Sequence, residues 1–241
     1  MNSFAESARF IHVLFGAIGL VAFWIPVISR KGARTHVLFG KVFIWSAYIV
    51  LSAAALSLSV RIGQLYAAGL GPADEPAMFA FILFLAYLTM VTFVSVRHGI
   101  SVLRHKGDPG SLKTWFNIGL AWMAIGASIF IILYALILSP PNKILLLALS
   151  PIGLGIGYGN LQYMRSEGLS RRAWMYEHLG AMIGSGIAFH TAFAVFGSAR
   201  LFDIGLSGWI AIIPWVAPAA IGIPAITLWI RHYRRKFGEL A

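Results

Sequence analysis

The chain has 241 residues, of which 59% are hydrophobic and only 11% charged, and its mean hydropathy is +0.80. Folding this composition in water would expose a large apolar surface, so a water-soluble globular domain is excluded. The net charge of +11 is scattered over short segments instead of gathered in one domain, which argues against nucleic acid and favours anionic lipid headgroups as partners.

Apolar runs of about 20 residues recur along the chain, the length that one helical crossing of a roughly 30 Å hydrocarbon layer requires. Because the runs do not alternate between apolar and polar residues, they predict helices and not barrel strands. We predict one all-α domain over residues 1–241, a polytopic bundle of seven transmembrane helices. The spans are expected at 9–28, 36–60, 77–103, 114–138, 143–163, 173–197 and 209–230.

Lysine and arginine flank mainly one side of these spans, which the positive-inside rule assigns to the cytoplasm. The cytoplasmic set is Arg30, Lys31, Arg34, Arg97, Arg104, Lys106, Lys113, Arg165, Arg171, Arg172, Arg231, Arg234, Arg235 and Lys236. The opposite side has Arg9, Arg61, Lys143 and Arg200, diluted by Asp74, Glu75 and Asp203. We therefore expect the N-terminus outside and the C-terminus inside a bacterial inner membrane. The first basic cluster follows the first apolar run, which is unlike a cleavable signal peptide.

Glycine and proline patterns are interpreted as packing features. The GLGIGYG stretch at 153–159 lies within an apolar span and not after a strand, so close helix contact is favoured over a nucleotide loop. Gly180 and Gly184 form a small-xxx-small pair, which also predicts close helix contact. Pro214, Pro218 and Pro224 are expected to bend the seventh span. The absence of cysteine excludes thiolate ligands, disulfides and covalent c-type haem.

Histidines are the main candidates for chemistry. The pentapeptide HVLFG occurs at 12–16 and at 36–40, at the start of two consecutive, antiparallel spans. His12 is therefore expected near the outer surface and His36 near the inner one. In the sixth span, His178 and His190 are separated by twelve residues, or about 18 Å along a helix.

Two imidazoles from different helices are suited to ligate the iron of a non-covalent b-type haem. We predict an outer pair of His12 with His190, and an inner pair of His36 with His178 or with His98. Together they would conduct electrons across the membrane. Because His178 and His190 point about 120° apart on an ideal helix, they need different partners. Glycines near these histidines would admit a flat ring; they are Gly16, Gly40, Gly180, Gly184 and Gly186.

Glu177 and Lys41 are charged residues inside apolar spans, both expected about five residues from the inner surface. An unpaired charge at that depth is unfavourable by about 2.5–3.5 kcal/mol, so mutual pairing is expected. The alternative is an inner polar pocket that carries protons or binds a headgroup. It would include His36, His178, Asn117, Asn160 and Gln162.

The segment KGARTHVLFGKVF at 31–43 follows a histidine in the first span and leads into an apolar helix. It resembles the signature of an uncharacterised bacterial inner-membrane family, the domain of unknown function 2306. The matching positions are His12, Lys31, Gly32, His36, Gly40 and Lys41. The resemblance covers about the first hundred residues and implies a membrane fold with two candidate histidines, without an established activity. Members often carry another histidine after the third span, whereas SLKTWFN at 111–117 has Trp115 and no histidine.

Two other functional classes stay open. A zinc-dependent membrane hydrolase would gather His36, His98, His178 and Glu177 on the cytoplasmic side. A non-enzymatic transporter or assembly factor would need no metal. A redox function would additionally require a quinone or another redox partner. The last span lacks the lysine that a retinal protein needs.

Overall fold

The computed structural model describes residues 2–197 and 208–239, and all regular secondary structure in these two ranges is helical. Arg200 and Asp203, which entered the loop-charge count, lie outside the described residues. The α-helices are α1 (Asn2–Ile28), α2 (Arg34–Ala67), α3 (Pro76–Arg104), α4 (Trp115–Ile137), α5 (Lys143–Leu149), α6 (Pro151–Arg165), α7 (Ala173–Ala192) and α8 (Ile213–Lys236). Short 3-10 turns cover Pro109–Leu112 and Gly208–Ile212, and a π-helical turn covers Phe193–Gly197.

Seven helical segments in the described ranges are long and apolar enough to cross a membrane. They are Glu6–Ile28, Arg34–Ala67, Pro76–Arg104, Trp115–Ile137, Lys143–Arg165, Ala173–Gly197 and Ile210–Lys236. Each coincides with one predicted span, so the all-α, seven-span prediction is confirmed for this part of the chain. Large apolar side chains on them are exposed, for example Ile28 at 80% and Val21 at 69%, as expected where lipid is the solvent. Which side each terminus faces stays a prediction.

The second helix is longer than its apolar run. Its 34 residues extend about 51 Å, well beyond a hydrocarbon layer of roughly 30 Å. The helix continues beyond the predicted end of the span, through Arg61, to Ala67. The helix ends where Gly69 takes a positive φ of 74° and Leu70 N–H donates to the Leu65 carbonyl at 2.9 Å. That geometry favours glycine and stops the helix.

Prolines begin helices or lie inside them in the fifth and seventh crossings. The fifth span is interrupted at Ser150, and Pro151 begins α6 at a position where its missing N–H is tolerated. Pro214 similarly occupies the first turn of α8. Pro218 and Pro224 lie inside α8 and each removes one backbone hydrogen bond, yet the helix continues through both.

The helices form two compact units. The first comprises Met1–Phe93 and Phe130–Leu147, and its main element is the antiparallel hairpin of α1 and α2. Phe23 and Phe43 pack across this hairpin with ring centroids 5.5 Å apart. A buried cluster of Leu65, Phe79 and Ile82 joins the end of α2 to the start of α3.

The second unit comprises Val94–Ile129 and Ala148–Ala241. Glycines allow its helices to approach closely, as the sequence predicted. A Cβ at Gly157 of α6 would lie 2.6 Å from Ile125 Cγ1 of α4 and would also meet the Ala121 carbonyl. Gly222 of α8 lies equally close to Ile187 of α7. Such contacts replace the hydrophobic driving force that lipid does not provide.

Candidate functional site: histidine hydrogen bonds in each unit

Each HVLFG histidine bridges the α1–α2 hairpin. Nδ1 of His12 on α1 lies 3.1 Å from the carbonyl oxygen of Val50 on α2. Nδ1 of His36 on α2 lies 3.1 Å from the carbonyl oxygen of Pro26 on α1. His36 follows His12 by 24 residues and Val50 follows Pro26 by the same interval, so exchanging the two helices maps one contact onto the other. The sequence repeat is therefore matched by a repeated contact.

These contacts determine the tautomer of both rings. A carbonyl oxygen only accepts, so Nδ1 must carry the hydrogen and Nε2 of the neutral imidazole keeps the lone pair. Neither His12 nor His36 has another side-chain hydrogen bond among the described residues. An Nδ1–H donated to a backbone carbonyl is a common orientation for histidines that bind metal through Nε2.

The two rings lie near opposite ends of the hairpin. His12 and Pro26 mark the two contacts on α1, and fourteen residues of helix correspond to about 21 Å. The two rings are therefore separated by about 21 Å along this hairpin, and their depth in a membrane stays a prediction. The identity of the inner and outer ends stays a prediction.

His36 also helps to cap α1. The Lys31 ammonium donates to the carbonyl oxygens of Pro26 and Val27 at 2.8 and 2.7 Å. A cation at a helix C-terminus satisfies carbonyls that have no partner within the helix. Burial lowers the pKa of Lys31. His36 therefore has a structural contribution beside any ligand role.

Glycine follows each of these histidines by four residues, which places it on the same helix face one turn away. A Cβ at Gly16 or at Gly40 would meet no heavy atom within 4 Å. The helix surface beside both rings is thus low and open, as a flat ligand requires. Gly184 differs, because its Cβ position lies 3.6 Å from Ser95 Oγ of α3, where it contributes to helix packing.

A different histidine contact joins α3 and α7 in the second unit. His98 Nε2 lies 2.9 Å from Glu177 Oε1, with the histidine side chain 6% exposed and the glutamate side chain 29% exposed. Glu177 therefore has a histidine as its partner, whereas the sequence led us to expect Lys41. Lys41 itself is exposed and makes no ion pair in the part of the chain described. The Glu177 bond engages the nitrogen through which His98 would otherwise bind a metal.

The next residue of α7 contacts α3 as well. His178 Nδ1 lies 2.9 Å from the carbonyl oxygen of Gly99, so its tautomer matches that of His12 and His36. The approach is close here, because a Cβ at Gly99 would lie 2.7 Å from Met182 Cε and 3.1 Å from Ala181 Cβ. Ser95 Oγ donates to the Ala181 carbonyl at 3.0 Å, which adds another polar contact between α3 and α7. Polar contacts between helices therefore reinforce the packing of α3 on α7.

Tyr163 of α6 completes the His98 environment and was missed by the sequence analysis. Its ring stands edge-on to the His98 imidazole, with centroids 5.9 Å apart. Its hydroxyl is buried and has no hydrogen-bond partner among the described residues. Such an orphan donor is uncommon and marks a polar position with unused hydrogen-bonding capacity. Its aromatic ring made it resemble an ordinary apolar residue of the span.

His190 lies three turns beyond His178 on α7. Its Nδ1 is 2.7 Å from the carbonyl oxygen of Gly186, four residues earlier in the same helix. All four predicted haem ligands therefore present the same tautomer, with Nδ1 directed at a backbone carbonyl. This shared orientation was not visible in the sequence.

No group of three or more His, Asp or Glu side chains suited to hold a metal occurs within residues 2–197 and 208–239. Among the expected pocket residues, Asn117 donates from Nδ2 to the Leu112 carbonyl at 3.0 Å, Asn160 is buried and Gln162 is exposed. Asn117 is thus used in local structure.

No family model, curated protein or solved structure matches the chain. The resemblance to the domain of unknown function 2306 therefore stays a prediction. Over residues 2–197 and 208–239, the structure shows an all-helical protein with seven helices long and apolar enough to span a membrane.

Proposed function

We propose that this protein binds haem b, or a metal ion, through intramembrane histidines and supports electron transfer across the bacterial inner membrane. The observation that carries the proposal is the shared tautomer of His12 and His36, whose Nδ1–H groups are held by carbonyls of the facing helix. The hydrogen bond fixes the ring and leaves the Nε2 lone pair for iron. Haem would supply one-electron redox chemistry at each position.

The spacing of the proposed ligands agrees between the two units. His12 and His36 are separated by about 21 Å along the hairpin, and His178 and His190 by about 18 Å along α7. The proposed ligand pairs are those that the sequence predicts, His12 with His190 and His36 with His178 or with His98. Gly16 and Gly40 would give a flat ring access beside the hairpin histidines.

Glu177, His98 and Tyr163 are proposed to serve proton transfer. A carboxylate in contact with an imidazole exchanges protons readily, and the partly exposed Glu177 connects the buried His98 to the surface of the unit. Reduction of a site inside lipid adds negative charge, which proton uptake compensates. Electron donors and acceptors of the quinone class fit this assignment.

The proposal includes the orientation of the protein in the membrane. The loop charges favour an outside N-terminus and an inside C-terminus, with anionic headgroups at the basic surface. Nucleic acid has no role in it.

An absorption spectrum of the detergent-purified protein, oxidised and dithionite-reduced, tests the proposal together with elemental analysis for iron, zinc and copper. We expect a Soret band that shifts on reduction, that falls to about half in His12→Ala and in His36→Ala, and that is lost when the two changes are combined. His105→Ala is the matched control, since His105 also donates from Nδ1 to a carbonyl, that of Ser101. Zinc without iron would instead favour the hydrolase, and the absence of both metals a carrier or assembly factor.

A further inference from the structure

A cleft in the second unit combines an apolar floor with two cations. It has a volume of about 200 Å³ and is lined by Ile118, Leu161, Met164, Lys113 and Arg165. Leu161 and Met164 belong to a buried cluster, whereas Lys113 and Arg165 are exposed. No acidic residue lines the cleft.

Some basic side chains of the unit are already engaged by other described residues, whereas the two cations of the cleft are not. Lys106 lies over the Trp174 ring at 4.4 Å, and Arg172 lies 3.6 Å from Glu239. Lys113 and Arg165 make no side-chain hydrogen bond, ion pair or ring contact with any described residue. Their charges are therefore available to an external anion.

The position of the cleft along the helices indicates the headgroup level of a bilayer. Arg165 is in the last turn of α6, and Lys113 lies two residues before the start of α4. Trp115, the first residue of α4, is 86% exposed. An exposed tryptophan at the end of a span is typical of the interface between headgroups and acyl chains.

We propose that this cleft is a binding site for an anionic phospholipid. The phosphate would lie between the Lys113 ammonium and the Arg165 guanidinium, which suits phosphate oxygens geometrically. The first part of an acyl chain would cover the partly buried Ile118. A volume of about 200 Å³ is below the roughly 300 Å³ at which small-molecule pockets begin, so the cleft accommodates a headgroup and not a whole lipid. Free phosphate would leave the apolar floor uncovered.

Native mass spectrometry of the delipidated full chain, titrated with dioleoylphosphatidylglycerol or dioleoylphosphatidylcholine, tests this site. We expect phosphatidylglycerol to bind at least fivefold more tightly than phosphatidylcholine. Lys113→Gln with Arg165→Gln should remove that preference, while Lys113→Arg should retain it. Because both side chains are exposed, neither change disturbs the core.

Arg231→Gln with Arg235→Gln is the matched control, since both residues are exposed on α8, are absent from the cleft lining, and the double change removes the same charge. The control should change the preference less than twofold. Equal losses in the two double variants would overturn the proposal, as would equal binding of the two lipids. Displacement of phosphatidylglycerol by millimolar inorganic phosphate alone would also overturn it. Haem content does not enter this measurement, so its outcome is independent of the redox proposal.

Discussion

Glu177 on α7 lies 2.9 Å from Nε2 of His98 on α3, and the two residues are 79 positions apart in the chain. The contact lies in a helix interface where the histidine is nearly inaccessible. A charge-assisted hydrogen bond in such a position has two consequences. It stabilises the packing of α3 against α7. Removing either side chain leaves the other in the interface without its hydrogen-bond partner, which is unfavourable.

The first prediction concerns this pair. Glu177→Met and His98→Leu should each destabilise the protein by about 1–3 kcal/mol, towards the lower end because Glu177 is partly exposed. The double variant should lose less than the sum, since apolar side chains of similar size leave no group unpaired. Thermal and denaturant unfolding in detergent would measure the coupling. Glu167→Met, at an exposed position, serves as the control and should change stability by less than about 0.5 kcal/mol. Simple additivity would contradict an interaction between the two side chains.

The second prediction separates the structural from the ligand role of the hairpin histidines. His12→Gln can keep a donor for the Val50 carbonyl, whereas His12→Ala cannot. Stability should fall by about 0.6–1.7 kcal/mol in the alanine variant and by less in the glutamine variant, the range found for polar contacts between membrane helices. Both variants should lose the Soret absorbance of the His12 site, about half of the total, because neither has an imidazole at this position.

The same comparison applies to His36, where Lys31 continues to cap α1. The loss of stability in His36→Ala should therefore be no larger than in His12→Ala. A glutamine variant with full haem absorbance at either position would show that the ring is only structural. Unfolding curves and spectra are to be recorded on the same samples.

The third prediction distinguishes three glycines of α6. Gly157→Ala should destabilise by about 1–3 kcal/mol, because the new methyl group would meet Ile125 and the backbone of Ala121. Gly155 and Gly159 have open space at the Cβ position. Alanine there should be neutral or stabilising by up to about 1 kcal/mol through its helix propensity. Equal effects at all three positions in thermal unfolding would contradict close packing at Gly157.

Much of the fold was predictable because span formation depends on local composition. Twenty continuous apolar residues require a helix in lipid, whatever their neighbours are. Helix ends were less predictable, since they depend on individual residues. Arg61 continues a helix because no breaker precedes Gly69, and Pro151 divides a span that hydropathy presents as continuous.

The candidate site was predictable as residue types but not as contacts. His12 and His36 stood out through their repeated pentapeptide, and the structure places them near opposite ends of the hairpin. The partner of Glu177 was not predictable, because His98 and Lys41 were both expected near the same surface. Helix rotation decides between them, and a nearly uniformly apolar span carries little information about rotation. Tyr163 was overlooked for the same reason.

The fourth prediction concerns Glu239. Its carboxylate contacts residues just before α7 and in the first turn of that helix. Tyr176 Oη donates to its carboxylate at 2.7 Å and Ser170 Oγ at 3.0 Å, while Arg172 Nη1 lies 3.6 Å away. The Tyr176 hydrogen bond is the main reason that the pKa of Glu239 is below its ordinary value, with Ser170 and Arg172 adding to it. The folded protein therefore prefers the ionised carboxylate.

The sign of the pH dependence follows from this lowered pKa. The stabilisation is complete above the ordinary pKa of about 4.5 and is lost as the pH falls through the lowered value in the folded protein. Glu239→Gln should accordingly have a lower Tm than wild type at pH 7, and the difference in Tm should vanish in acid. Differential scanning fluorimetry between pH 7 and pH 3 would measure it, with Glu167→Gln, at an exposed position, as the control. A gap between Glu239→Gln and wild type that persists or widens below pH 4 would show that the carboxylate is not what holds Tyr176 and Ser170.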